Sequence, residues 1–230
     1  MYKLNLIIKR IFDIVSAGVL ALLLMPLWIV VAIAIKADSR GPVFFKQGRR
    51  TKDGRIFSML KFRSMVVDAE QMGTGLFNYE NDPRVTRVGR FLRNRSIDEL
   101  PQLFNILKGD MSVVGPRPCV SYELGDFDTL NRRYRKRFEV KAGLTGLAQV
   151  RGRNNINWDE KVGYDNLYVD EFKRLGIIED IIILLESTAK VFKKDNIYEN
   201  KADSQMTDVE AARLEEERII RIAHMPDVDQ

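Results

Sequence analysis

The chain's hydrophobic pattern is dominated by one unbroken run. From Ile14 to Ile35, "IVSAGVLALLLMPLWIVVAIAI", 22 consecutive positions carry no charge. A helix of about 20 apolar residues crosses a bilayer, so the run predicts a membrane helix. It is too long for the apolar region of a signal peptide, and no small-x-small cleavage site follows it. Pro26 sits near its middle, where it removes a backbone donor and crowds the preceding turn. Lys3, Lys9 and Arg10 precede the run, and Lys36, Arg40, Lys46, Arg49 and Arg50 follow it. A crossing helix normally biases Lys and Arg to one side. Two geometries remain: an ordinary span, which the tolerance of membrane helices for proline favours, and a helix broken at Pro26 that returns to the same face. A wholly buried soluble helix fits the length poorly.

Beyond the run, "GPVFFKQGRRTKDGRIFSMLKF" predicts two short strands, near Val43–Gln47 and Arg55–Phe62, with Asp53-Gly54 as the turn between them. Residues 68–82 form a polar, glycine-bearing loop. Leu100, Leu103, Phe104 and Leu107 follow helical spacing, and Gly109 offers a stop. Pro101 is tolerated only in a first turn, which places the start of that helix near Asp98. "FDTLNRRYRKRF" (127–138) puts Phe127, Leu130, Tyr134 and Phe138 on one face and arginines on the rest. That suits an anionic membrane surface, or equally a solvated helix packed on its own domain. "EDIIILLESTAKVFKKD" (179–195) is a second amphipathic candidate, for a core or for the interface. "TDVEAARLEEERIIRIA" opens with a Thr207-x-x-Glu210 capping box, and predicts a separate, exposed helix after a polar linker (195–206). Three parts result: residues 1–40, 41–194 and 195–230.

The net charge of +5 hides an asymmetry: residues 195–230 carry −6 and residues 1–194 carry +11. A basic body fits an anionic partner such as nucleic acid, a lipid surface or a phosphorylated small molecule. Cys119 is the only cysteine, which excludes an internal disulfide and a cysteine zinc site. His224 is the only histidine and lies in the tail, which excludes a Ser-His-Asp or Cys-His arrangement in the body. Acid-base and nucleophilic work falls to carboxylates, with Lys and Arg.

"SIDELPQ" (96–102) supplies adjacent carboxylates, Asp98 and Glu99, beside a cationic run. Asp98 alone reads first as a helix N-cap. Arg84, Arg87, Arg90, Arg93 and Arg95 come just before it, however, and Arg117 sits in the rigid "VGPRP" turn after it. Such a cluster suits a phosphate or diphosphate. Neighbouring helical positions point about 100° apart, so the two acids can take different partners. One can attack phosphorus or hold a metal while the other relays a proton or positions a ligand. A hard cation such as Mg²⁺ is expected where a carboxylate meets a diphosphate. There is no P-loop, since "GTG" at 73–75 lacks the following Gly-Lys-Ser/Thr. "KAGLTGLAQVRGRN" (141–154) reads alone as an ordinary turn.

These pieces together resemble the bacterial sugar transferases, the monotopic phosphoglycosyl transferases that start glycan assembly on a polyprenyl phosphate. The matching stretches are "KRIFD" (9–13), the apolar segment with Pro26, "GPVFFKQGR" (41–49), "KFRSM" (61–65), "DPRVTRVGRFLR" (82–93), "SIDELPQLFNILKGDMSVVGPRP" (96–118), "GLTGLAQVRGRN" (143–154) and "DNLYV" (165–169). The resemblance implies an α+β fold: a re-entrant membrane helix broken at Pro26, a small β-hairpin, and amphipathic interfacial helices around a compact catalytic core. It implies transfer of a sugar 1-phosphate from a UDP-sugar to undecaprenyl phosphate, releasing UMP, with Mg²⁺. Asp98 would be nucleophile and metal ligand, with Glu99 as its catalytic neighbour. Arg93, Arg117, Lys61 and Arg63 would contact phosphate, and Gln149 and Arg153 the nucleotide sugar. Implied partners are membrane phospholipid and a second copy of the chain, with no nucleic acid, at the cytoplasmic face of a bacterial inner membrane. Glucose, galactose and an N-acetylated amino sugar all fit. The chain departs from many members in having Met25 where a serine precedes the breaking proline, and Ala142 where a proline stands. It is expected to begin at the catalytic core, without the multi-span domain of larger members. The competing readings are a membrane-anchored nucleic-acid-binding protein, which lacks an aromatic stacking platform, and a non-catalytic scaffold in which Asp98 is only a cap.

Overall fold

The computed structural model describes residues 2–72, 82–152, 156–192 and 217–226. The apolar run forms one helix, α1 (Tyr2–Asp38), which continues through Pro26 without the expected break. At 1.5 Å per residue it is roughly 55 Å long, and by length and composition it suffices to cross a membrane. Its buried residues, Lys9, Asp13, Ala17, Ala21, Trp28, Val31 and Ile35, recur every three or four positions except across 22–27. One stripe of the helix therefore lies on the globular body on both sides of Pro26. The opposite side, with Leu22, Leu23, Ile29, Val30 and Ile33, is exposed.

Polar groups make the joint at the N-terminal part of α1. Lys9 is buried, donates to the Val114 carbonyl at 2.9 Å, and pairs with the buried carboxylate of Asp180. Asp13 accepts from the Ser112 hydroxyl and the Val113 N–H, both at 2.9 Å. Arg10 donates to the carbonyls of Ile106 and Leu107 at 2.6 and 2.8 Å. These side chains are structural partners, not free positive flanks of a membrane segment. Trp28 joins the C-terminal part, edge-on to Phe62 and tilted against Phe104.

The hairpin pairs β1 (Phe44–Arg50) with β2 (Ile56–Phe62), antiparallel, from Phe44↔Phe62 to Arg50↔Ile56. The first strand runs three residues past the expected Gln47 because Gly48, Arg49 and Arg50 keep pairing. The turn is accordingly longer, with Asp53 and Gly54 at positive φ. Helix α2 (Arg87–Arg93) is capped by the Thr86 hydroxyl. After α3 (Gln102–Lys108), β3 (Ser112–Val114) pairs in parallel with β4 (Gly143–Thr145). Three-residue strands show no periodicity, and neither was expected from the sequence. A Cβ on Gly143 would stand 2.1 Å from the Gly115 nitrogen, so glycine is required where the two segments cross.

The arginine-rich segment 127–138 is broken into one-turn pieces around α4 (Arg132–Lys136), with Asn131 as its cap. Leu130, Tyr134 and Phe138 face the domain's own core, so its apolar face is not offered to a membrane. After α5 (Leu147–Arg151) comes α6 (Trp158–Leu175), opened by a reciprocal Asn157–Glu160 capping box. In α7 (Ile177–Phe192), Asp180 and Ile183 are buried while Ile178, Ile181, Ile182 and Leu185 are exposed. The helix packs inward and keeps an apolar outer stripe.

The tail departs from expectation. Residues 217–223 form α8, which docks on the chain's own 119–138 region. Ala223 is fully buried, Asn131 donates to the Ile222 carbonyl, and His224 bridges the Thr129 hydroxyl and the Leu124 carbonyl. Burial of its Ile219, Ile222 and Ala223 face overrides the polar look of the segment. The capping box at 207–210 lies outside the described residues.

Removing one partner of a buried ion pair costs about 3–5 kcal/mol, whereas an apolar replacement of both is near neutral. Lys9→Met should therefore lower the denaturation midpoint strongly, and Lys9→Met/Asp180→Leu should recover most of it. Chemical denaturation in detergent measures both.

Candidate active site

The acid pair sits where two helices fail to merge. Ser96 takes a positive φ of 54°, Ile97–Glu99 make a single 3₁₀ turn, and α3 begins only at Gln102. Pro101, which has no N–H, precedes it. Asp98 caps no helix, which corrects the expected N-cap and removes the reason to read it as a purely structural residue.

Three neighbours fix the turn. Asn105 of α3 accepts from the Leu60 N–H at 2.9 Å and donates to the Ser58 carbonyl at 2.8 Å, and so behaves like a further strand beside β2. Along β2 the side chains alternate, and Lys61 falls on the face of Phe57 and Met59. From there Lys61 Nζ reaches Glu99 Oε1 at 3.0 Å. Arg117 Nη2 reaches the same oxygen at 2.7 Å, and its Nη1 lies 3.5 Å from Oε2.

The two carboxylates thus have opposite environments. Burial alone would raise the Glu99 carboxyl, but Arg117 and Lys61 hold it far below the usual carboxylate range. Asp98 is buried, and none of the described residues gives its carboxylate a hydrogen bond or ion pair. Burial pushes its carboxyl up, against the charge of Lys61. Arg93, on the last turn of α2, is close enough for its charge to act on Asp98.

The expected phosphate contacts separate. Lys61, Arg93 and Arg117 gather at the pair. Arg63 does not: it is buried, and donates to the carbonyls of Ser39 and Arg40 at the end of α1. It lies two residues beyond Lys61, just past the end of β2, where the end of α1 offers unpaired carbonyls. Arg84 is turned inward by an ion pair with Asp82 at 2.7 Å, and closes the base of the 69–72 loop through the carbonyls of Ala69 and Met72. Arg95 lies over the Phe91 ring. Gln149 donates to the Leu144 carbonyl at 3.3 Å beside the Gly115–Gly146 contact, and its Oε1 is buried without a partner. Arg153 lies outside the described residues.

The sequence reading missed what holds Arg117. Its carbonyl accepts from Arg137 at 2.8 Å, that of Pro118 from Arg49 at 2.9 Å, and those of Ser121 and Gly125 from Arg50 at 2.8 and 2.6 Å. Arg137 pairs at 2.8 Å with Asp165 of α6, both buried. The capping box "NWDE" at 157–160 was the available signal for α6, and hence for Asp165 and Tyr168.

Residues 4–194 match the family model for bacterial sugar transferases. The undecaprenyl-phosphate galactose phosphotransferase of Salmonella typhimurium is 40% identical over 205 residues, covering 83% of this chain and 42% of that protein. The UDP-glucose:undecaprenyl-phosphate glucose-1-phosphate transferase of Klebsiella pneumoniae is 43% identical over 200 residues, covering 85% and 42%. The exopolysaccharide production protein ExoY of Rhizobium meliloti is 38% identical over 197 residues, covering 80% of this chain and 84% of that one. The chain spans less than half the length of the first two and most of the third. The acid pair, its arginines and "KRIFD" all lie inside the matched region, and the chain belongs to the bacterial sugar transferase family.

Proposed function

We propose that this chain transfers a sugar 1-phosphate from a UDP-sugar to undecaprenyl phosphate, through a phosphosugar intermediate on Asp98. The observation that carries the reading is the asymmetry of the acid pair: Glu99 is neutralised by two cations, and Asp98 is buried beside them without a partner among the described residues. A poorly solvated carboxylate is a stronger nucleophile than one in water. An Asp98 oxygen attacks the sugar-linked phosphorus, the bond to the bridging oxygen breaks, and UMP leaves with that oxygen. A phosphate oxygen of undecaprenyl phosphate then attacks the same phosphorus and displaces the Asp98 carboxylate, giving a polyprenyl diphosphate sugar. Glu99, held anionic, is poorly suited to donate a proton; it aims Lys61 and Arg117 at the phosphoryl oxygens, where charge develops. The names of the relatives favour galactose or glucose as the sugar.

Mg²⁺ fits this site as a cation shared with substrate. The Asp98 oxygens have no protein partner among the described residues, and Mg²⁺ is commonly bound by one or two carboxylates plus substrate phosphates. Held by Asp98 and the diphosphate, it would neutralise charge on the donor.

The re-entrant course of α1 is part of the same reading. Lys9, Arg10 and Asp13 at one end of the apolar run, and the Ser39 and Arg40 carbonyls at the other, contact one globular body. A helix crossing about 30 Å of hydrocarbon would put these ends on opposite sides. Lipid then contacts the exposed side of α1 and the outer stripe of α7, and the catalytic body faces the cytoplasm, where UDP-sugars are made.

Purified protein with Mg²⁺, undecaprenyl phosphate and a panel of UDP-sugars should release UMP from one or two donors. Asp98→Asn should lower turnover by about 10³-fold or more, and Glu99→Gln by about 10- to 100-fold. UMP release at the wild-type rate from Asp98→Asn would refute the nucleophile. Stability should move the other way. The Asp98 carboxyl titrates higher folded than unfolded, so its charge opposes folding above that range and is without effect once both states are protonated, below about pH 4. Asp98→Asn should raise the melting temperature at pH 7, with the gain vanishing in acid. Glu99→Gln should lower it at pH 7, because the stability from a depressed carboxyl is present above the unfolded value. A series of melting curves against pH reads both.

A further inference from the structure

We propose that Arg137, fixed by its buried ion pair with Asp165, is a positioning residue that sets Arg117 against Glu99. Arg117 lies between Pro116 and Pro118, whose rings fix φ on either side of it. Arg137 Nη2 grips the carbonyl of Arg117 at 2.8 Å and so holds the orientation of the peptide that follows it. The same nitrogen lies 2.8 Å from Asp165 Oδ2. The guanidinium packs between the rings of Phe138 and Trp158, at 5.4 and 5.1 Å. The side chains of Arg137 and Asp165 are 3% and 2% exposed.

As a stabilising device this arrangement is poor. Buried ion pairs are often matched or bettered by apolar residues of similar volume. Arg137 Nε and Nη1 and Asp165 Oδ2 are moreover buried without a hydrogen-bond partner among the described residues. The polar engagement of the residue runs through one nitrogen, into the backbone of the arginine that holds Glu99. Lysine would supply the charge without the flat guanidinium that lies against the rings of Phe138 and Trp158.

The activity readout rests on the transferase reading above. Arg137→Met/Asp165→Leu replaces the pair by apolar side chains, and should melt within a few degrees of wild type while kcat falls by about 10- to 100-fold. In an Arg117→Ala background the same replacement should add less than about twofold, because the effect passes through Arg117. An undiminished kcat, or losses that multiply with Arg117→Ala, would overturn the proposal. Arg137→Lys and Asp165→Asn enter the same cycle should the double variant not fold. A readout independent of substrate is the set of guanidinium ¹⁵N signals of Arg117, assigned by their loss in Arg117→Ala. The contact with Glu99 should hold its two Nη signals apart in the wild type; in the pair variant they should merge, and unchanged signals refute the positioning role. A wild-type protein releasing no UMP would sink the transferase reading alone, and these signals would still decide this one.

Discussion

The structure depends on burying polar groups at the joint between an apolar helix and strand β3. Lys9 and Tyr168 both donate to the Val114 carbonyl, and Asp13 takes the Ser112 hydroxyl and Val113 N–H. An apolar helix has no reason to sit on a catalytic body in one particular place, because hydrophobic attraction is not directional. Buried polar contacts are directional and costly to leave unmade, so they specify the place. The strand they seize runs through Gly115 into the turn that carries Arg117. Membrane attachment and the acid pair therefore share one frame, and Arg10 extends it by meeting the carbonyls at the end of α3.

Several arginines are tied to the main chain. Arg10, Arg49, Arg50, Arg63, Arg84 and Arg137 each donate to main-chain carbonyls, holding turns and helix ends that have no ladder of their own. A protein with two two-stranded sheets leaves many carbonyls outside regular structure, and a guanidinium can satisfy several at once. Among the described residues, Lys61 and Arg117 meet the Glu99 carboxylate, and the charge of Arg93 acts on Asp98. Net charge thus overstates the cationic surface available to an anionic ligand.

How much of this was legible in the sequence follows from the range of each signal. The apolar helix, the hairpin and the acid pair between cations were readable, because each is written in a contiguous stretch with its own period or motif. The tight crossing of Gly115 and Gly143 was not, since strands of three residues carry no period and their pairing joins segments about 30 residues apart. Arg63 and Arg84 could not be told from Arg117 by type or neighbourhood, as their partners are carbonyls that any sequence possesses. The tail looked solvated because its charges are visible in sequence, while the surface that Ala223 fills is assembled from residues 119–138 and Val162.

The two tryptophans fall at two of the joints around the acid pair. Trp28 is wedged between Phe62 and Phe104, where the C-terminal part of the apolar helix meets the body. Trp158 lies against the guanidinium of Arg137. Indole emission responds to the polarity and charge around the ring, and each ring reports a different joint. The protein therefore carries two intrinsic optical probes, one for the seating of its apolar helix and one for the support beneath the arginine that holds Glu99, and replacing either with phenylalanine leaves a single-colour reporter of the other.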